Sequence, residues 1–433
     1  MDKQIYLDLL NEVEKIKVID THEHIQPESE RVSLNLDLFN LFEHYAFSDC
    51  ISAGLSYDKM RSFVDNKTIP IEVRWKEFRD YWEKAKNTSY GEAVRIAIRD
   101  LLGIEDLNDE TYISVSNKLK EVNVKGWYKK LLKDICLIER CIIDLDLPTI
   151  AEQLNVDRDL FTPAVRFDRY LDFTKKSTIE LLETDTGISI HNLTHLLKAF
   201  DHLFSKILEA KVCAIKIGLA YERSIKIEKY TRNEAEADLN KLLAETLVRI
   251  PWLEEKTISQ SEVRRLQDFC IRYILDFAEE NNIPIQVHTG LQEGHGNYII
   301  NSNPLLIVNL LLEYRRLRFA LFHGGYPFMR EVISIAKNFQ NAYLDMCWLH
   351  IISRKAAKDF LEEALEAVPL SKIFGFGGDF MNVEGTYAHL KIARQNISSV
   401  LTKLIEEERI DKKEALKISK MVLYDNPSIF YKI

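Results

Sequence analysis

The sequence predicts an α/β protein, a (β/α)8 TIM barrel with a helical insertion after its first strand. Three observations predict it. Eight short apolar, β-branched-rich runs recur along the chain, most of them followed by a stretch with helical spacing of apolar residues. Residues of metal-ligand type sit where several of those runs end. The length, 433 residues, suits one elaborated barrel domain spanning 1–433, because such barrels run from ~200 to over 400 residues.

The runs lie near 18–20, 137–144, 161–167, 212–218, 283–288, 318–323, 342–345 and 373–379. Between them fall amphipathic stretches such as 261–282, which closes in polar residues before Pro284. Strands alternating with helices favour a parallel barrel, whose reactive groups gather at the carboxyl ends of the strands. Two interruptions stand out. Residues 26–136 are too many for a structureless loop and carry helical patterning rich in Trp, Tyr and Phe, so they read as a helical insertion over the barrel mouth. Its aromatic residues Phe39, Phe42, Tyr45, Trp75, Tyr81 and Trp82 either shape a pocket from above or pack the insertion's own core. The second interruption, 223–260, is a charged helical stretch broken by Pro251.

Composition excludes several classes. A net charge of −9 gives no electrostatic reason to bind nucleic acid or an anionic membrane. No apolar run reaches the ~18 residues of a membrane span. The N-terminus lacks a signal-peptide core, and the six cysteines show no C-x-x-C pairing. Reduced thiols in a cytoplasmic protein are the expectation. No nucleotide-binding glycine loop and no G-x-S-x-G elbow occurs.

The chemistry-bearing residues begin with His22-Glu23-His24, directly after Val18-Ile19-Asp20. Two histidines at i and i+2 of a strand project from one face and can offer two imidazoles to a single metal ion. An isolated H-x-H is weak evidence; its weight comes from later strand ends. His288 follows Ile285-Gln286-Val287, His323 follows Ala320-Leu321-Phe322, and Asp379 ends Phe374-Gly375-Phe376-Gly377-Gly378. Imidazole and carboxylate donors suit Zn²⁺, one ion or two, with Mn²⁺ as the alternative. Each histidine alone reads equally well as a satisfied core residue, and Asp379 as a helix N-cap. As a catalytic group, Asp379 can ligate the metal and take the proton of an activated water. Lys216, in Val212–Gly218, either carries a CO₂-derived carbamate that bridges metals or stays charged and holds a substrate carboxylate. Arg166 and Arg223, with Arg169 nearby, are candidates for clamping a carboxylated substrate, against the plain alternative of surface ion pairs. Tyr326 is a further candidate substrate contact, with Asp345 and His350 weaker, and His295 reads as a loop histidine.

His22-x-His24, Lys216, His288, His323 and Asp379, in that order on strands one, four, five, six and eight, resemble the amidohydrolase superfamily of metal-dependent barrel hydrolases. The resemblance implies that His22 and His24, with Asp379, bind the more buried metal. It implies that carboxylated Lys216 bridges to a second metal held by His288 and His323. The insertion, in the stretch 81–119, and the segment GTYAHLKIARQNISSVL resemble uronate isomerases. Two departures separate the chain from those enzymes: Gly-Gly-Asp-Phe replaces their Thr-Asp-Ser-Arg-type sequence, and His323 supplies a sixth-strand histidine that they lack. KIGLAYER and VHTGLQEGHGN resemble the group that includes nodulin- and FluG-type proteins. Together these imply a metal-dependent hydrolase acting on a small, polar, carboxylated molecule with an amide, lactone or related bond, in which Asp379 and His323 are catalytic. The alternatives are an aldose–ketose isomerase of uronic acids and a non-catalytic metal- or ligand-binding barrel. A homo-oligomer is compatible with this reading; no nucleic-acid or membrane partner is expected.

Overall fold

The computed structural model describes residues 2–245, 258–294 and 296–433. His295 and residues 246–257 of the charged stretch lie outside the described residues. All eight expected strands form, in order: β1 Val18–Glu23, β2 Ile138–Ile143, β3 Phe161–Arg166, β4 Ala214–Ile217, β5 Ile285–Val287, β6 Phe319–Leu321, β7 Ala342–Asp345 and β8 Ile373–Phe374. Each pairs in parallel with the next. The ring closes past the end of β8, where Thr21 N–H donates to Phe376 O (3.3 Å), Asp379 N–H to His22 O (2.7 Å) and His24 N–H to Phe380 O (2.9 Å). The fold is a nearly closed eight-stranded parallel barrel surrounded by helices.

Strand periodicity sorts the side chains. Ile215 and Ile217 face outward into the core between sheet and helices, and Lys216 between them points into the barrel. Gln286 is flanked in the same way by Ile285 and Val287, and its amide reaches Thr21 O (2.9 Å) and the Tyr431 hydroxyl (3.1 Å) across the interior. Thr21 Oγ1 donates to Asp345 Oδ1 (3.0 Å). The barrel interior is therefore polar as well as packed, and these buried groups each find at least one partner across it.

Between β1 and β2 lie the helices Glu28–Ser33, Ala46–Ser52, Tyr57–Asp65, Ile71–Ala85, Ser89–Leu102 and Tyr112–Val122. Most of the aromatic residues in this insertion build its own core. Phe42 meets Phe78 (4.8 Å between ring centres) and Trp82 (5.2 Å), and Phe39 stacks on Phe63 (5.3 Å). Trp75 stacks on Tyr112 at 5.4 Å. Only Tyr45, among those singled out from sequence, is recorded touching the residues at the strand ends.

A buried clamp ties the insertion to the helix Val383–Glu406 that follows β8. Glu384 Oε1 accepts from Arg31 Nη2 (2.6 Å) and from the Trp127 indole N–H (2.8 Å). All three side chains are buried, so neither charge has water as a substitute partner. Among the described residues no helix is long and apolar enough to cross a membrane. Glu384→Ala leaves Arg31 buried and unpaired, and the expected loss of stability is about 3–5 kcal/mol, read by denaturant unfolding. Glu384→Gln keeps an acceptor for Trp127 and is expected to lose less.

Candidate metal centre

β1 delivers His22 and His24 to one face, with ring centres 4.8 Å apart, and turns Glu23 the other way. Glu23 Oε2 accepts from Phe380 N–H (2.7 Å), and Asp20 Oδ1 accepts from Gly378 N–H (2.9 Å). These two carboxyl groups hold the loop that carries Asp379. The consecutive glycines in that loop follow from crowding: a Cβ on Gly378 would collide with the Glu23 carboxylate, and one on Gly377 with Thr21 Oγ1 and Cys347. Burial pushes Asp20 up to about 7 and Glu23 well above the usual carboxylate range, with each acid also acting on the other. Burial and the neighbouring acid both disfavour a second charge at the pair. From the far side His389 Nδ1 reaches Gly378 O at 2.9 Å.

Asp379 itself has φ +59°, a left-handed backbone uncommon outside glycine. That conformation turns its carboxylate to the histidines: Oδ1 lies 3.2 Å from His24 Nε2 and 3.6 Å from His22 Nε2, and Oδ2 accepts from the Tyr45 hydroxyl at 2.6 Å. Burial opposes ionisation of Asp379. The hydrogen bond from His24 and the fields of His22 and His24 outweigh it and hold the carboxyl well below its usual range. Tyr45 stacks on Trp348 (4.7 Å), whose indole stands edge-on to His323 at 5.2 Å. The insertion thus contributes a hydroxyl and an aromatic wall to the strand ends.

The tautomers are informative. His24 Nδ1 is 2.6 Å from Asp144 O, His323 Nδ1 is 3.1 Å from Cys347 O, and His288 Nε2 is 2.9 Å from Leu291 O. A carbonyl only accepts, so each of these nitrogens carries the proton. On His288 and His323 the other ring nitrogen keeps its lone pair, whereas His24 Nε2 faces the Asp379 carboxylate, whose hydrogen bond raises the His24 pKa against burial. His288 Nδ1 and His323 Nε2 then face each other at 3.1 Å as two acceptors. Burial pushes His323 down to about 4 and His288 well below its ordinary value, His323 adding to the latter, so an imidazolium does not relieve the contact. Neutral, carbonyl-anchored imidazoles aimed at one point are the arrangement that metal-ligating histidines adopt. The donor set therefore fits a divalent metal.

Lys216 Nζ lies 3.4 Å from His22 Nε2 and 3.9 Å from the centre of the Phe322 ring, and burial brings its ammonium down to about 8. His22, Lys216, His24 and Asp379 thus converge, with His288 and His323 adjacent. Two ligand-sized groups emerge among the described residues: His22, His24 and Asp379, and His323, Cys347 and Asp379.

Other residues singled out from sequence have different surroundings. Arg166 is drawn onto carboxylates: Nε and Nη2 bind Asp144 Oδ2 (2.9 and 2.5 Å), with Asp146 at 3.7 Å and Asp168 at 3.8 Å. Arg223 pairs with buried Asp268 at 2.6 Å and with Ser224 O, and none of its recorded hydrogen-bond partners is a member of the cluster. The preceding run, GLAYER, holds no hint of this, because Asp268 lies 45 residues later on the helix Gln260–Glu280. Tyr326 is half-buried against the main core, and its carbonyl accepts from Leu291 N–H at 2.5 Å. Asp345 binds Thr21 and Cys347 N–H, and His350 Nε2 donates to Gly375 O. Sequence reasoning missed Asp144, whose apolar run Cys141-Ile142-Ile143 was legible as a strand, and the site contact of Cys347. It also did not separate Tyr45 from its aromatic neighbours.

Residues 252–432 match the Amidohydrolase family model. Protein FluG of Emericella nidulans is 26% identical over 191 residues, 41% of this chain, and the match spans only 22% of FluG's own length. A uronate isomerase of Thermotoga petrophila is 20% identical over 98% of this chain and 96% of that protein. The crystal structure of uronate isomerase from Thermotoga maritima superposes with a TM-score of 0.80 at 18% identity, covering 99% of this chain and 97% of that one. Residues 252–432 thus match an amidohydrolase family model, and the chain as a whole shares its fold with the uronate isomerase structure.

Proposed function

We propose that the protein is a metal-dependent hydrolase of a small polar substrate, and that His22, His24, Lys216, His288, His323 and Asp379 hold one or two divalent ions, Zn²⁺ foremost. The observation that carries this reading is the pair of buried imidazole lone pairs facing each other 3.1 Å apart beside an ionised Asp379. Two such acceptors in a dry interior are unfavourable until a cation lies between them. A bound divalent ion would supply a water acidic enough to attack at neutral pH and would polarise a carbonyl. Lys216, carboxylated, would be an anionic oxygen donor next to His22.

The chain's own groups do the rest. Asp379 Oδ1 is the proton acceptor, since its Oδ2 is occupied by the Tyr45 hydroxyl, and it returns the proton to the leaving group. His323, fixed by its Nδ1–H on Cys347 O, would present its Nε2 lone pair to the ion beside His288. Trp348 and Tyr45 exclude water above the cluster. Of the proposed substrate clamps, Arg166 remains the better placed. Its charge acts on His22 and Asp144, and its Nη1 faces the Asp146 carboxylate at 3.7 Å. Arg223 acts through Asp268 to brace the β4 loop, and Tyr326 shapes the turn after His323.

A second reading, isomerisation of a uronic acid, is supported by the likeness to uronate isomerases along nearly the whole chain. In it Asp379 and Tyr45 would move a proton between adjacent carbons, with no water consumed. Assay of glucuronate and galacturonate against a panel of amides and lactones separates the two. Hydrolysis of the panel with no aldose–ketose interconversion supports the first reading, and the reverse result replaces it with the second.

Two variants test the roles. Asp379→Asn is expected to lower kcat by ~10²–10⁴-fold while retaining most of the metal; undiminished turnover removes the proton-transfer role. His24→Ala is expected to weaken metal binding by more than the ~10–100-fold that loss of an outer partner costs, as measured by calorimetric titration.

A further inference from the structure

We propose that Cys347 is a thiolate ligand of this centre, forming with His323 and Asp379 a sulfur-containing metal site biased towards Zn²⁺. The inference rests on the metal-dependent reading above and deepens it by naming a donor atom that this reading does not use.

Three features carry it. Ligand atoms of Cys347, His323 and Asp379 all lie within 4.8 Å of one another, and all three residues are buried. The Cys347 side chain is wholly inaccessible, yet among the described residues its Sγ makes no hydrogen bond, although its own backbone carbonyl anchors His323 Nδ1 at 3.1 Å. The thiol thus lies at the foot of the imidazole that its residue orients. Third, the space for it is made by the Asp379 loop: a Cβ on Gly377 would stand 2.8 Å from Cys347 Cβ and 2.9 Å from Sγ. The glycine before Gly378-Asp379 is therefore needed for the thiol to lie against this loop, and any larger residue would displace the sulfur.

The unshared lone pair of His323 or His288 supplies the second pointer to a cation. The other five cysteines are also free and buried, but Cys347 alone joins a group of three ligand types among the described residues. On binding, the thiol proton is released to solvent and the S–H bond is replaced by a metal–sulfur bond, so one proton leaves per ion bound at this site. A soft sulfur donor selects Zn²⁺ over Mn²⁺ or Mg²⁺, whose preference is for oxygen. Because Asp379 belongs to both ligand groups, its carboxylate is the element through which this site and the His22–His24 site compete or are bridged.

The test uses full-length protein loaded with Co²⁺ in place of Zn²⁺. The expected result is a near-ultraviolet thiolate-to-cobalt charge-transfer band that is lost in Cys347→Ser, with cobalt still bound at the histidines. X-ray absorption of the zinc-loaded wild type needs no variant and is expected to show a sulfur scatterer at about 2.3 Å. Cobalt bound with visible ligand-field bands but without the charge-transfer band, or zinc with nitrogen and oxygen neighbours only, overturns the thiolate while leaving the metal-dependent reading in place. A chain that takes up neither metal overturns both.

Discussion

The structure depends on how the barrel closes. Strands one and eight are joined not by a long ladder but by a few backbone hydrogen bonds around Gly377-Gly378-Asp379, where Asp379 N–H meets His22 O. The closing seam and the densest cluster of reactive side chains are the same residues. Bringing a carboxylate to the paired histidines of β1 requires a positive φ at Asp379, and that conformation is over-determined by its surroundings. Glu23, Asp20 and His389 grip the backbone on both sides, and Tyr45 holds the carboxylate. Backbone strain of this sort persists only where neighbouring structure fixes it, and it concentrates at functional sites.

The same seam explains why so many acids are buried without a matching number of cations. Burial pushes Asp20 and Asp345 up to about 7 and Glu23 well above its ordinary range, and Asp144 is held down against burial by Arg166 and His24. Asp379 is the one whose pKa falls well below its ordinary value. Carboxyl groups packed about one seam thus have their pKa values pushed in opposite directions. Partition of that kind is how one site keeps a base next to a reserve of neutral hydrogen-bonding acids.

The barrel was legible because its signal is local: short β-branched runs between helical patterns, each ending in a residue of ligand type. All eight strands lie where those runs do, and His22, His24, His288, His323 and Asp379 converge because strand ends of a parallel barrel must. The rest was not legible, for reasons of sequence distance. Asp268, which takes Arg223, is 45 residues away, and Glu384, which takes Arg31, is 353 away. A side-chain pair of that separation leaves no periodic trace. Cys347 carried no spacing signature because its relation to His323 runs through its backbone carbonyl, and Tyr45 resembles the aromatic residues around it in every respect but where it lands.

The hydroxyl of Tyr45 reaches Asp379 from a segment that is not part of the barrel. Whatever fixes Tyr45 within the insertion therefore also fixes one donor to the carboxylate. The packing of a segment outside the barrel is in this way felt at the residue that closes it.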